Sequence, residues 1–285
     1  MDNTLFTEER QRTKKQYEQY FFYLDSREHR AFLRTIATHI TGEKILDLGC
    51  GTAGLFEELL ITRKKSEQLT LIGIEQSEVI AQKARDKSIP HTTIINAPVC
   101  SFDFPQESFD SIIMVSILHE LVSSHKLPII AQLFACLWQA LKPGGKLIIH
   151  DGFRNDTIVA NLQIHNYDKR ILLDSFREAR PDAYFYPYGA GFVSSLTHIF
   201  DFVHKCYYLE NWEHEVKEYY YPMSLEAYSL MFGALGCTTL TVKMYPETEH
   251  VHEIKKDFSI TSLLGAPLEL ADCNCLLVAQ KNGKT

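Results

Sequence analysis

ILDLGCGTAGLFEELL, residues 45–60, is an apolar run followed at once by glycines spaced G-x-G-x-x-G. This spacing of Gly49, Gly51 and Gly54 is typical of a strand–turn–helix unit that brings backbone N–H groups close to a bound dinucleotide. Asp47, inside the strand, does not suit a phosphate, because two negative charges repel each other. A carboxylate here instead favours a ligand that carries positive charge near the turn.

The overall composition is that of an ordinary globular protein. The 285 residues are 45% hydrophobic and 23% charged, and the formal net charge is −7. Nucleic-acid binding needs clustered lysines and arginines, so the acidic balance argues against it. Residues 1–16 are polar, with no leader or anchor segment, and no run reaches the roughly 18 apolar residues of a membrane span. We therefore expect a cytoplasmic protein with no nucleic-acid or membrane partner, and we leave its oligomeric state open.

No metal site is expected. The seven cysteines show no C-x-x-C pair or zinc spacing. His250 and His252 in EHVHE, residues 249–253, share one face if the segment is a strand, with Glu249 next to them in sequence. H-x-H alone is a weak signal, because the sequence places no third ligand.

Short apolar runs alternate with helical patterns through the first half of the chain. The predicted strands are residues 44–49, 69–75, 92–97, a part of 109–121, and 146–151. Such alternation implies right-handed parallel crossovers and a sheet covered on both faces. Two closing strands, 238–245 and 273–281, have no predicted helix between them, which indicates an antiparallel hairpin. The prediction is a mostly parallel, Rossmann-like α/β sheet.

Residues 152–222 interrupt this alternation and hold nine of the 14 tyrosines. We predict an N-terminal helical extension at 1–42, a core made of 43–151 and 223–285, and an inserted aromatic-rich lid at 152–222. The insertion leaves the sheet after the fifth strand, at the carboxyl edge where open α/β sheets bind ligands. We therefore expect the lid and the N-terminal helix around Tyr17–Tyr23 to close over the ligand.

The segment LDLGCGTAG, residues 46–54, is similar to the first motif of class I S-adenosylmethionine-dependent methyltransferases, an acidic residue followed by G-x-G. The resemblance continues through residues 109–121, residues 141–149, and the closing helix and hairpin. It implies a seven-stranded sheet and S-adenosylmethionine as cofactor, with Asp47 beside the methionine part, which carries an ammonium and a sulfonium. The third glycine of the family motif falls at Ala53, next to Gly54.

Two other function classes stay open. An NAD-dependent oxidoreductase also uses a glycine turn and an acidic residue such as Glu75, although it usually lacks the terminal hairpin. A binding module could keep the cofactor site and transfer nothing.

The family motifs and the strand ends together give the candidate cofactor site. Glu75 ends the second strand, where a carboxylate can accept both ribose hydroxyls, and the amide of Asn96 suits an adenine. The candidate cofactor-binding residues are Tyr17, Tyr20, Asp47, Gly49, Gly51, Glu75, Gln76, Asn96, Ala97, Val115 and Ser116.

Methyl transfer is an in-line displacement, so positioning in a water-poor site supplies much of the acceleration. The tyrosine-rich segments 184–191 and 218–222 exclude water and favour a small, at least partly apolar acceptor. A hydroxyl or ammonium acceptor needs a general base, whereas a thiolate or a neutral amine does not. His119, after the fourth strand, is the candidate base, or only shapes the pocket. His150 and Asp151, at the end of the fifth, are candidate substrate contacts.

Overall fold

The computed structural model describes residues 14–63, 66–237, 239–246, 250–268 and 272–283. The helices are α1 Lys14–Leu24, α2 Arg27–Ala37, α3 Gly54–Thr62, α4 Glu78–Asp86, α5 Leu118–Ser124, α6 Leu127–Ala140, α7 Tyr167–Ala179, α8 Leu196–Lys205, α9 Trp212–Glu215, α10 Leu225–Ala234 and α11 Val251–Asp257. The strands are β1 Lys44–Leu48, β2 Thr70–Glu75, β3 Thr92–Asn96, β4 Phe109–Val115, β5 Leu141–Arg154, β6 Val159–Ile164, β7 Tyr186–Tyr188, β8 Gly191–Ser195, β9 Met223–Ser224, β10 Thr239–Pro246, β11 Phe258–Ser262 and β12 Asp272–Gln280. The prediction of a polar, leader-free start concerns residues 1–16, of which 1–13 lie outside this description.

The main sheet has the strand order β10-β12-β5-β4-β1-β2-β3. Strands β1 to β5 are parallel, and β12 runs antiparallel to both β5 and β10. The prediction of a Rossmann-like, seven-stranded and mostly parallel sheet with a terminal antiparallel hairpin is confirmed. The two-residue strand β9 is an addition beside the end of β5.

Helices cover both faces of this sheet, which explains why its central strands are apolar throughout. Leu46 and Leu48 of β1 pack into one core with residues of α6 and α10, whereas Ile45 packs on the opposite face with residues of α2 and α3. Alternate side chains of a strand point to opposite faces. The central strands are therefore packed on both faces, which fixes the position of the polar residues at their ends.

A serine precedes the first turn of each of two helices, α10 and α4. Ser224 precedes α10, and its hydroxyl accepts a hydrogen bond from the Ala227 N–H at 3.2 Å, as a cap does. Ser77 occupies the equivalent position before α4, but its side chain makes no capping bond. Its backbone N–H instead donates to Glu75 Oε1 at 2.9 Å. The Ser77 hydroxyl therefore does not cap the helix.

A second, antiparallel sheet has the order β11-β6-β8-β7 and a core of its own. All ten residues of α8 are buried in this region. Strand β11 comes from the connection between β10 and β12 and pairs with β6, with Phe258 opposite Ile164. The prediction that no helix lies between the closing strands is wrong, because α11 precedes β11 there. The second sheet thus draws on residues 159–195 and on 258–262, while the predicted domain division stays a prediction.

Within the described residues, no helix combines the length and the apolar character needed to cross a bilayer. All seven cysteines are free thiols.

Candidate active site

A cavity of about 1110 Å³ opens at the carboxyl edge of the main sheet. Its floor is the glycine turn after β1 and the ends of β2, β4 and β5. Tyr20 and Tyr23 of α1 line one side, and Tyr207, Tyr208 and Tyr220 of the insertion line another. The parallel strands place these ends side by side, as the topology of an open α/β sheet requires.

Most of the predicted site residues meet at this cavity. Those that line it are Tyr20, Asp47, Gly49, Gly51, Glu75, Gln76, Val115, Ser116, His119 and Asp151. Tyr17, Asn96, Ala97 and His150 are not among its lining residues.

The contacts of Asn96 and His150 account for their positions. The Asn96 side-chain amide donates to the backbone oxygens of Glu75 and Gln76 at 3.0 and 2.8 Å, so it holds the loop after β2. His150 faces the opposite side of β5 from Asp151, and its ring lies 4.5 Å from that of Phe32. His150 therefore has no role in the reaction proposed below.

The glycine turn needs unusual backbone angles. Gly49 has φ +70° and Gly51 has φ +54°, a region that side chains disfavour. A Cβ on Gly49 would lie 2.2 Å from Ile117 Cδ1. Ala53 also takes a left-handed conformation, with φ +59°, and is fully buried. Glycine suits this position better, which gives a physical reason for the glycine of the family motif.

Polar groups beside the turn suit a ligand that carries hydroxyls. Glu75 Oε2 accepts a hydrogen bond from the Gly51 N–H at 3.1 Å, and its other oxygen accepts the bond from Ser77, so the carboxylate is fixed at the turn. Ser77 lines the cavity, and its buried hydroxyl has no hydrogen-bond partner among the residues that the structure describes. A buried hydroxyl of this kind is expected where a ligand supplies the missing partner.

Asp47 is 3% exposed and lines the cavity next to the turn. Burial, together with the nearby Glu75 carboxylate, raises the pKa of Asp47 to about 8. A positive charge placed beside Asp47 would favour its ionised form. The site therefore fits a cationic group here, as the sequence predicts.

His119 and Asp151, which also line the cavity, form a hydrogen-bonded ion pair. The His119 Nδ1–H donates to Asp151 Oδ1 at 2.9 Å, and the His119 backbone N–H donates to Oδ2 at 3.2 Å. Burial alone lowers the pKa of His119, but the Asp151 carboxylate outweighs it and raises the pKa to about 9, with smaller contributions from Glu120 and Glu218. The Tyr220 ring lies edge-on to His119, with a centroid distance of 5.9 Å.

Several residues that line the cavity belong to no sequence motif or pattern by which they could have been predicted. They are Lys169, Tyr207, Tyr208, Glu210, Asn211, Glu215 and Asn274. Tyrosine density did indicate segment 218–222, but residues 184–191, indicated by the same density, do not line the cavity, and Tyr186 and Tyr188 are exposed on β7.

His250 lies at the start of α11 and stacks on Tyr207, with ring centroids 5.0 Å apart. Because His252 is inside α11, the two histidines do not share a strand face. Glu249 lies outside the described residues. Among those that are described, no three His, Cys, Asp or Glu side chains converge as a metal ion would need.

Comparison with known proteins identifies the core. Residues 46–149 match the family model described as "Methyltransferase domain". Residues 46–149 form a methyltransferase domain. An uncharacterized methyltransferase from Geobacillus sp. (strain WCH70) is 32% identical over 119 residues, which cover 42% of this chain and 51% of the relative. The chain spans about half the length of the curated relatives it matches.

Solved structures of other proteins share the fold of this chain. A SAM-dependent methyltransferase from Archaeoglobus fulgidus has a TM-score of 0.53 at 15% identity, and the match covers 92% of this chain and 99% of that one. The plantazolicin methyltransferase BpumL, in complex with SAH, has a TM-score of 0.52 at 14% identity, covering 94% and 91%. The predicted resemblance to class I S-adenosylmethionine-dependent methyltransferases is confirmed, and it indicates S-adenosylmethionine as the cofactor of the methyltransferase domain.

Proposed function

We propose that the chain transfers the methyl group of S-adenosylmethionine to a small, partly apolar acceptor. The observation that carries this proposal is the single cavity that joins the glycine turn to His119 and the tyrosines of the insertion. We also propose that the reaction takes place in the cytoplasm, and the seven free cysteines agree with a reducing compartment.

The residues around the turn fit the cofactor. Glu75 and Ser77 would hold its hydroxyl-bearing part, and Asp47 would attract the ammonium of its methionine part. When bound, the cofactor supplies a methyl group that the acceptor's electron pair attacks, while the C–S bond breaks and its electron pair stays on sulfur. The displacement needs no redox partner.

The other residues of the cavity position the acceptor and manage its proton. Tyr20, Tyr23 and Tyr220 exclude water from the line of attack. For a hydroxyl or ammonium acceptor, unprotonated His119 takes the proton at Nε2, the ring nitrogen that does not face Asp151. Asp151 acts as a positioning residue, because it holds the opposite edge of the imidazole and stabilises the imidazolium that results.

Calorimetry with S-adenosylmethionine and S-adenosylhomocysteine tests the cofactor assignment. Both are expected to bind, and Gly51→Arg is expected to abolish binding, because its side chain would enter the cavity. Gly233→Arg is the matched control, since a side chain at Gly233 meets open space. Tight binding of NADH without binding of either compound would refute the proposal.

A label-transfer assay then tests the activity and the acceptor class. Labelled methyl groups are expected to appear in small molecules of a metabolite extract. Cofactor binding with transfer to no pool would make the chain a binding module. Incorporation into bulk RNA or protein but not into small molecules would overturn the acceptor class.

A further inference from the structure

Residues 216–222 connect α9 to β9 and belong to no helix or strand. A backbone N–H or C=O group that is hidden from water needs a hydrogen-bond partner, and this connection has no regular ladder that could supply one. Within it we call Glu218, Tyr219 and Tyr220 the tyrosine segment. Side chains of other elements bind its backbone, and two of its residues, Glu218 and Tyr220, line the cavity.

Two cationic side chains meet at one carbonyl of the tyrosine segment. Arg180 Nη1 and Lys205 Nζ both donate to the Glu218 carbonyl oxygen, at 3.0 and 2.6 Å. A carbonyl oxygen has two lone pairs and can accept both bonds. Arg180 directly follows α7, and Lys205 is the last residue of α8. The carbonyl is therefore tied to two helices at once.

Asp201 of α8 completes this group, and we call Arg180, Asp201 and Lys205 the buried ion triad. The two carboxylate oxygens of Asp201 accept hydrogen bonds from the two cations, and Oδ1 also accepts one from the Tyr220 N–H at 3.4 Å. The members of the triad are 4%, 2% and 0% exposed. Arg180 is also paired with Asp182 at 2.9 Å, so two carboxylates balance the two cations.

The burial of the triad indicates what it contributes. Removing an ion pair from water costs much of what the attraction returns, and apolar residues of similar size often give equal stability. An apolar residue cannot, however, donate to a carbonyl from a fixed direction. Burial lowers the pKa of Lys205 to about 8 against the opposing effect of Asp201, so its ammonium is mostly charged at pH 7. The triad therefore supplies directed bonds that fix the place of the tyrosine segment.

The same cations contact the rings of the tyrosine segment. The Arg180 guanidinium carbon lies 3.9 Å from the centre of the Tyr219 ring, and Lys205 Nζ lies 4.3 Å from the centre of the Tyr220 ring. A cation over a ring face is attracted to it, and the attraction grows when the cation is desolvated. The Tyr220 ring in turn lies edge-on to His119. Contacts thus run from the triad through Tyr220 to the proposed base.

A second route joins the tyrosine segment to α5, the helix that carries His119. The Tyr219 N–H donates to Ser123 Oγ at 2.7 Å, and the Ser123 hydroxyl donates to the His119 carbonyl at 2.6 Å. A shift of the tyrosine segment would therefore reach the backbone of His119 as well as the ring beside its imidazole.

We propose that Arg180, Asp201 and Lys205 are positioning residues for methyl transfer, which hold Tyr220 against His119 from outside the cavity. None of the three lines the cavity. The proposal rests on the proposed function and adds the residues that keep one wall of its site in place. A loosened tyrosine segment would admit water beside His119 and slow the transfer. The glycine turn and its carboxylates lie on the main sheet and would keep their affinity for the cofactor.

Lys205→Met tests the proposal, because methionine is of similar length but cannot donate to the Glu218 carbonyl. Label transfer from S-adenosylmethionine to a metabolite extract is measured at pH 7 on the full chain, and the rate is divided by the number of sites that bind S-adenosylhomocysteine in calorimetry. We expect the rate per site to fall by about tenfold to 100-fold, since a small misplacement can cost that much. The affinity for S-adenosylhomocysteine is expected to stay unchanged. A merely structural role would lower the number of sites and leave the rate per site unchanged.

Ser195→Ala is the matched control. The Ser195 hydroxyl accepts a hydrogen bond from the His198 N–H at 3.3 Å and so caps α8 at the end opposite Lys205. This variant is expected to lower the melting temperature and to keep the rate per site.

Hydrogen exchange of the free protein gives a readout that needs no acceptor. The Tyr219 and Tyr220 amides are expected to exchange faster in Lys205→Met than in the unmodified protein or in Ser195→Ala. If Lys205→Met does not fold, Arg180→Lys makes the same comparisons, because it keeps the charge but offers one nitrogen where arginine offers three.

An unchanged rate per site or unchanged exchange of these two amides overturns the proposal. Absence of label transfer by the unmodified protein would instead count against the proposed function, and the exchange rates would then decide whether the triad holds the tyrosine segment.

Discussion

At the scale of single residues, we expect Asp47 to couple cofactor binding to pH. Its pKa of about 8 means that the carboxyl group is mostly protonated at pH 7 when no cation is near. A cationic ligand favours the carboxylate, so the bound state holds fewer protons than the free state. We expect binding of S-adenosylhomocysteine to release a proton at pH 7 and to strengthen as the pH rises towards 8.

Calorimetry in two buffers of different ionisation enthalpy measures this proton release. Asp47→Asn cannot release a proton, so the dependence on the buffer is expected to shrink in that variant. Equal proton release by both proteins would show that another group is responsible.

His119 gives the proposed reaction a pH dependence of its own. As a base it acts only when unprotonated, so kcat/KM is expected to rise with pH and to level off above about 9, the pKa of His119. Asp151→Asn removes the carboxylate that raises this pKa, so the inflection is expected to move to lower pH. His119→Gln is expected to lower kcat by about 100-fold or more. A flat profile in the unmodified protein would rule out a base and favour a thiolate or neutral amine acceptor.

At the scale of elements, Gly152 shows how closely the end of β5 approaches the insertion. A Cβ at this position would lie 2.1 Å from the Tyr220 backbone oxygen. Gly152→Ala is therefore expected to push Tyr220 away from His119, to lower kcat/KM more than the affinity for S-adenosylhomocysteine, and to cost about 1–3 kcal/mol of folding stability.

Gly233→Ala in α10 is the matched control, because nothing lies within 4 Å of its new methyl group. We expect this control to keep full activity and to be slightly more stable, as alanine is in a helix. Similar kinetics for both variants would mean that the contact between Gly152 and Tyr220 does not position the site.

The elements also show what a sequence can and cannot predict here. Strands β1 to β5 were predictable because each contains a short apolar run bounded by turn residues. Gly51 and Glu75 were predictable as site residues because each lies at or just after the end of a strand. Alternation along β5 places His150 and Asp151 on opposite sides, but only packing decides which side has the cavity. Glu215 belongs to no sequence pattern, because only the folded chain brings it to Tyr220, whose ring contacts His119.

At the scale of the whole molecule, we expect the insertion and α1 to close over the bound cofactor. Tyr20 and Tyr23 on one side and residues 207–211, 215, 218, 220 and 221 on the other already line the cavity. Binding of S-adenosylhomocysteine is expected to slow amide hydrogen exchange in residues 17–25 and 205–222, as well as in the turn segment 45–77.

Hydrogen exchange followed by mass spectrometry with and without the ligand makes this measurement. The second-sheet hairpin of β7 and β8, which does not line the cavity, serves as an internal control. Slowing that is confined to residues 45–77 would mean that the insertion does not close, and that the acceptor reaches the cofactor from another side.

The pairing of β11 with β6 ties the insertion to a distant part of the chain. Residues 152–222 alone would leave β6 as an open strand edge, which invites pairing with another chain. During synthesis the second sheet cannot be completed until residue 262 has emerged from the ribosome, long after β6 has been made. Residues 159–195 must therefore wait as an unfinished sheet, and this interval is when a chaperone would matter most.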